Sequence, residues 1–176
     1  MRVHASAGDF LLALPEVEAG CIVLDLEMPG PSGLELQQAL QRQPLPPPIV
    51  FLTGHGDIAS SVRAMKSGAV DFLTKPVDSA RLLGAIAAAV ERDRKAREVR
   101  AGAADAEARL ALLTPRERAV FEGVVAGLPN KRIARELGIT ERTVKAHRAQ
   151  VMAKMRASSL TQLLQVASLL RGSRVD

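Results

Sequence analysis

The stretch Gly138-Ile139-Thr140-Glu141-Arg142-Thr143-Val144-Lys145-Ala146-His147-Arg148-Ala149-Gln150-Val151-Met152-Ala153-Lys154-Met155 constrains this chain more than any other. Gly138 supplies the left-handed residue that ends one helix, and Thr140 can cap the next. At about 100° per residue, Val144, Val151 and Met155 fall on one buried stripe. The opposite face carries Arg142, Ala146, Ala149 and Ala153, flanked by Thr143, Lys145 and Gln150. A narrow ridge of small residues with basic and amide flanks suits the major groove of duplex DNA. Bulky residues there would hold the helix away from the base edges.

The preceding helix fits the same purpose. Asn130 is read as its N-cap, and Ile133, Ala134 and Leu137 as its buried face. Two short helices joined by a tight glycine turn predict a helix-turn-helix, with Ala134 small where they cross. Asn130 and Lys131 stand at a helix N-terminus, where free amides and the helix dipole attract a phosphate. Thr114-Pro115-Arg116-Glu117 predicts a flanking helix, with Ala119, Val120, Val124 and Val125 packed behind the reader. A last helix, capped around Ser158 and Ser159, runs through Leu160, Leu163, Leu164, Val166, Ala167, Leu169 and Leu170. That apolar face is wider than a small core needs, and leaves a seam for a second copy.

Charge separates the chain in the same place. From Thr114 onward 12 Lys and Arg face 5 Asp and Glu, a net of +7, whereas residues 1–113 carry 12 against 14, a net of −2. The C-terminal third is therefore the part suited to a polyanion. Cys21 is the one cysteine, which excludes an internal disulfide framework and fits a reducing compartment. No secretory segment opens the sequence, and the apolar run Leu82 to Val90 is far too short to span a bilayer. A cytoplasmic chain with no membrane partner is expected. Four Phe with no Trp or Tyr argue against base-stacking RNA recognition.

The N-terminal half alternates short apolar runs with amphipathic ones. A short helix opens at Ser6-Ala7-Gly8-Asp9 with Phe10, Leu11, Leu12 and Leu14. Cys21 to Leu24 reads as a buried strand ending in Asp25, Ile49 to Leu52 as a second ending in Thr53, and Val70 to Leu73 as a third ending just before Lys75. Helices are expected over Gly33–Leu40 and Asp57–Ser67, and from Ser79 through Leu82, Leu83, Ile86 and Val90. This pattern predicts a parallel α/β sheet, whose ligands bind at the carboxyl ends of the strands. Asp25, Thr53 and Lys75 converge there as a phosphoryl-accepting site. Asp25 would be the nucleophile, Thr53 would bond a phosphoryl oxygen, and Lys75 would pair with its charge.

Residues 112–171 resemble the four-helix output domain of LuxR/FixJ-type regulators. The resemblance rests on Leu113-Thr114-Pro115-Arg116-Glu117, Gly127-Leu128-Pro129-Asn130-Lys131, Thr143 to Arg148 and Met152 to Met155. Asp25-Leu26-Glu27-Met28-Pro29-Gly30 and Ser32 to Leu36 resemble the phosphorylation loop of a response-regulator receiver. Thr53 to Asp57 and Phe72-Leu73-Thr74-Lys75-Pro76 resemble its later loops, with Phe72 at the aromatic switch position and His55 a loop residue. The resemblance implies a flavodoxin-like receiver at 1–90, a partly helical linker at 91–111 and a helix-turn-helix domain at 112–176. It also implies a sensor histidine kinase as phosphodonor, double-stranded DNA as target and a homodimer on that DNA.

Receivers of this kind begin with a strand ending in two acidic residues, followed by a helix, and that unit is unmatched. The chain is expected to enter at the second strand, around Arg2-Val3-His4. The resemblance implies Mg²⁺, but only Asp25 and the Glu27 backbone carbonyl match its ligands. Metal-dependent phosphorylation is therefore expected to be absent or poor, unless the sequence starts late at an internal codon. The charged run 91–100 is expected to be a solvated helical face, weakening at Ala101–Ala104.

The leading expectation is a DNA-binding transcriptional response regulator. Asn130 and Lys131 meet the DNA backbone, and Arg142, Thr143, Lys145 and Ala146 meet the groove. His147 and Arg148 serve either a structural role, such as pairing Glu117, or a phosphate contact. A second reading is a phosphorylation-incompetent interaction protein that pairs with or antagonises full-length regulators. A third, an enzyme turning over an aspartyl phosphate at Asp25, lacks a second general acid.

Overall fold

The computed structural model describes residues 2–13, 20–54 and 58–172, with Gly172 described by its backbone alone. Leu14, His55 and Asp57 lie outside the described residues. The chain divides into two compact units, Met1–Arg97 and Glu98–Asp176.

In the first unit, β1 (Ile22–Asp25), β2 (Ile49–Thr53) and β3 (Asp71–Thr74) form a parallel sheet in that order. Leu24 stands beside Phe51 and Phe51 beside Phe72, so the three strands end nearly level. Successive β2 side chains point to opposite faces. Ile49 and Phe51 pack with Leu24, Leu36, Leu40 and Ala64, whereas Val50 packs with Leu73, Ala85 and Ala89. The first face is covered by α1 (Ala7–Ala13), α2 (Gly33–Leu40) and α3 (Ile58–Lys66), the second by α4 (Ser79–Ala111). Burial on both faces explains why β2 reads as an unbroken apolar run, whereas Val23 of β1 stays 41% exposed.

Helix α2 starts at a complete capping box. Ser32 Oγ accepts from Glu35 N–H, and the Glu35 carboxylate accepts from Ser32 N–H at 2.8 Å. Gly33 then brings α2 against β1, where a Cβ would lie 2.5 Å from the Asp25 carbonyl oxygen. Facing sides differ from expectation at two helices. In α1 only Ala7 and Phe10 are buried, and Leu12 is 84% exposed. In α4 the sheet is met by Ala85 and Ala89 with the expected Leu82 packed beside them, while Leu83 and Val90 face outward. Alanines let a helix approach the strands more closely than leucine or valine would.

Arg2-Val3-His4 is not a strand. These residues make no ladder bonds with any described strand and Val3 is 81% exposed, although His4 packs edge-on against Phe10. A strand exists only through its pairing. The run 91–111 is helical throughout, without weakening at Ala101–Ala104, because Ala103 and Ala106 are buried. Nor is the charged run wholly solvated. Asp93 is buried, accepting from Gly20 N–H at 3.0 Å and Arg97 Nε at 2.8 Å.

In the second unit the end of α4 packs with α5 (Pro115–Val125), α6 (Asn130–Leu137), α7 (Glu141–Lys154) and α8 (Leu160–Gly172). The core joins Ala106 and Leu110 of α4 to Val120, Phe121, Val124, Ile133, Val144, Val151, Met155 and Leu163. Full burial of one such side chain stabilises by about 1.5–3 kcal/mol. Phe121, absent from the expected core, is buried, whereas Val125 is only partly so. On α8, Leu163, Ala167 and Leu170 face inward and Leu160 and Leu164 remain exposed.

Candidate nucleic-acid interface and phosphoryl-accepting edge

Gly138, at φ 64°, closes α6 in the left-handed region, and its N–H bonds the last carbonyls of that helix. Thr140 then caps α7, its side chain accepting from Thr143 N–H. These two residues set the turn of the helix-turn-helix. Val144, Val151 and Met155 are fully buried, which rotates the opposite face of α7 to the surface. Arg142, Lys145, Ala146, Ala149, Gln150 and Ala153 are exposed, and Thr143, His147 and Arg148 are half-buried. The exposed face thus has a low ridge of alanines between cationic and amide side chains.

Asn130 does not cap α6. Pro129 is the cap residue, in extended conformation at φ −69° and ψ 153°, and its carbonyl accepts from Arg132 and Ile133 N–H. Proline has no N–H, so this position strands no donor. Asn130 becomes the first helical residue, and its Oδ1 accepts from Arg148 NH1 at 2.8 Å. That bond ties the start of α6, with exposed Lys131 beside it, to the middle of α7. This partner is neither the Glu117 nor the phosphate expected for Arg148, and nothing local signals it, because the two residues stand 18 apart in the chain.

Glu117 is held instead by Lys154, whose Nζ lies 2.6 Å from Glu117 Oε2. Behind the reader, Gly123 allows α5 and α6 to approach. A Cβ there would lie 2.9 Å from Ile133 Cγ1, so the close crossing is set by Gly123 as much as by Ala134.

At the carboxyl edge of the sheet, Lys75 Nζ lies 2.5 Å from Asp25 Oδ2, so residues 50 apart in sequence form one ion pair. Glu27 N–H donates to Asp25 Oδ1 at 3.2 Å, folding the loop back over the carboxylate. Partial burial pushes the Asp25 carboxyl up, but the Lys75 ammonium and the Glu27 and Leu26 amides outweigh it. The result is a carboxyl below the ordinary aspartate value. Thr53 ends the neighbouring strand and is fully buried, and Lys75 N–H bonds its carbonyl at 2.7 Å. Phe72 is half-buried, its ring 6.1 Å from that of Phe51. The arrangement presents one carboxylate with one cation already beside it.

Asp25 presents one carboxylate at this edge, and the described residues contain no group of three or more His, Cys, Asp or Glu that could hold a metal ion. Mg²⁺ keeps several waters and is held by one or two carboxylates plus phosphate, so this donor set fits part of such a site.

Residues 111–167 match the family model of bacterial regulatory proteins of the luxR family, and residues 1–87 match that of the response regulator receiver domain. The transcriptional regulatory protein FixJ of Bradyrhizobium diazoefficiens is 49% identical over 158 residues, covering 90% of this chain and 77% of its own length. The response regulator protein TodT of Pseudomonas putida is 41% identical over 173 residues, covering 98% of this chain and 76% of its own. Among solved structures, the response regulator StyR superposes with a TM-score of 0.79 at 42% identity, over 94% of this chain and 83% of that one. These relatives do not favour the reading as a phosphorylation-incompetent antagonist.

Proposed function

This chain belongs to the response regulators of the LuxR/FixJ type, and we propose that it reads duplex DNA through α7 under the control of a phosphoryl group on Asp25. It is a DNA-binding transcriptional regulator with a receiver domain. The finer assignments are our own. The receiver occupies residues 1–90, a helical linker 91–111 and the DNA-binding domain 112–176. Asp25 takes the phosphoryl group from a sensor histidine kinase, Lys75 pairs with its charge, and Thr53 and Phe72 respond beside it. A Mg²⁺ held by Asp25 and the Glu27 carbonyl would supply charge neutralisation for the incoming group.

The observation that carries the reading is the exposed face of α7. Arg142, Thr143, Lys145 and Ala146 stand where base edges would be met, and Asn130 and Lys131 where the DNA backbone would be. His147 and Arg148 sit at the margin of that face, with Arg148 engaged by Asn130. Exposed Leu160 and Leu164 on α8 support pairing of two copies on the DNA. Action on DNA in the cytoplasm follows from membership of this regulator family, and no described helix is long and apolar enough to cross a membrane. We read the chain as a regulator, not an enzyme, because its relatives act as transcription factors.

The test combines both halves. A small-molecule phosphodonor with Mg²⁺ should label Asp25 in the wild-type chain and not in Asp25→Asn, and should tighten binding to a duplex selected from a random pool. A chain that takes no label and binds that duplex equally with and without donor would overturn phosphate control.

A further inference from the structure

We propose that Arg109, near the end of α4, is a positioning residue for the recognition helix α7. Its NH1 donates to the Met155 carbonyl at 3.1 Å, and its NH2 pairs with Asp105 one turn back. Met155 is the C-cap of α7, so this carbonyl belongs to the negative end of that helix. The neighbouring carbonyls are closed by the chain itself. Ala157 N–H donates to the Met152 carbonyl at 2.9 Å, and Arg156 N–H to that of Ala153 at 3.1 Å. The Met155 carbonyl instead receives a cation from another helix. The reverse link also exists, since Lys154 Nζ donates to the Leu112 carbonyl at 3.2 Å.

Packing alone does not explain an arginine here. Its Nε is buried and has no hydrogen-bond partner among the described residues. A buried donor without a partner is unfavourable, and an apolar residue would fill the same space without that penalty. What the guanidinium adds is a charge-assisted bond to the end of α7. The Asn130–Arg148 bond pins the middle of α7 to α6, and Arg109 pins its far end to α4. Arg142 lies about 9 Å along the axis from Arg148, so a tilt of about 6° about that pin shifts it by roughly 1 Å. Base-edge hydrogen bonds do not tolerate such a shift. The end of α4 is therefore part of the reading unit.

This inference rests on α7 being the DNA reader. The experiment compares full-length wild type, Arg109→Ala, Arg109→Lys and Lys145→Ala on two duplexes. One is the best sequence the wild type selects from a random pool, and the other is a random duplex of equal length. Arg109→Ala should lower the selected-to-random affinity ratio by at least about fivefold, the equivalent of one base contact, with little change on random DNA. Arg109→Lys should recover part of the ratio, because it keeps the cation at the helix end. A lower melting temperature with an unchanged ratio, read where the variant is folded, would make Arg109 merely structural and overturn the proposal. If Arg109→Ala does not fold, Arg109→Met, which fills the same space without the cation, decides in the same way, and an unchanged ratio in it overturns the proposal. If Lys145→Ala leaves the affinity for both duplexes untouched, the reading of α7 itself fails, which is a separate result.

Discussion

Lys154 Nζ lies 2.6 Å from Glu117 Oε2, so the carboxylate that caps α5 also anchors the last turn of α7. The same carboxylate accepts from Thr114 N–H at 2.8 Å and is buried. The Lys154 bond first, then the Thr114 amide, hold Glu117 at about 2, well below the ordinary value of 4.5. A depressed carboxyl stabilises the fold fully above about 4.5, and that stabilisation is lost as pH falls towards about 2. Glu117→Gln keeps the capping geometry but cannot ionise. The variant should melt lower than wild type near neutral pH, and the gap should close as pH falls through that window. Melting curves that run parallel at every pH would sink the idea.

Gly33 makes the opposite case, where geometry overrides propensity. Gly→Ala within a helix ordinarily stabilises by about 0.5–1 kcal/mol. Here the added Cβ would meet the Asp25 carbonyl oxygen at 2.5 Å and the Phe51 ring at 3.0 Å. Backbone cannot step aside as a flexible side chain can. Gly33→Ala should therefore destabilise the receiver, by about 1–3 kcal/mol for an overpacked core. It should also disturb the Asp25–Lys75 pair, because the carbonyl it strikes belongs to Asp25. Chemical denaturation that shows Gly33→Ala as stable as wild type would show that α2 has room to shift.

Lys145 is exposed on the reading face, and the two roles open to it leave different signatures. If its ammonium meets a base edge, Lys145→Ala should cost about 1–3 kcal/mol on the selected duplex and relax specificity there. If it meets a phosphate, the same substitution should weaken all duplexes alike and reduce the salt slope by about one ion. We expect the first, and salt titrations on selected and random duplexes measure the difference.

Local signals carried well from sequence to structure. The Thr114–Glu117 capping box, the left-handed Gly138 and the α2 span Gly33–Leu40 all stand where spacing placed them, because each depends on residues within one helical turn. The strand ends at Asp25 and Thr53 are equally readable, since each closes an unbroken run of apolar residues. What depended on distant partners was not readable. Asn130 looked like a cap until Pro129 took that place and Arg148 claimed its side chain. Asp93 looked solvated within a charged run, yet it is buried against Gly20 N–H. Alanines at 85 and 89 carried no signal as the sheet-facing side of α4, because leucine and valine nearby outweighed them in any apolar count.

The Arg148–Asn130 bond sets the spacing between α6 and α7, and its consequence for binding can be measured. If α6 offers its N-terminus to the DNA backbone while α7 meets the bases, their separation must match that between phosphate and groove. A 2.8 Å bond between the first residue of α6 and the middle of α7 fixes that distance. Arg148→Ala and Asn130→Ala should each weaken binding to the selected duplex, since either breaks the same link. Combined, they should cost less than the sum, with a coupling of about 0.5–3 kcal/mol. Two independent phosphate contacts would instead add within about 0.5 kcal/mol. Arg148→Ala would then also lower the salt slope, whereas loss of a purely internal bond leaves the number of released counterions unchanged. Anisotropy titrations of the four chains across salt concentration separate these cases. Additivity with a reduced slope in Arg148→Ala would move Arg148 from the scaffold to the DNA surface.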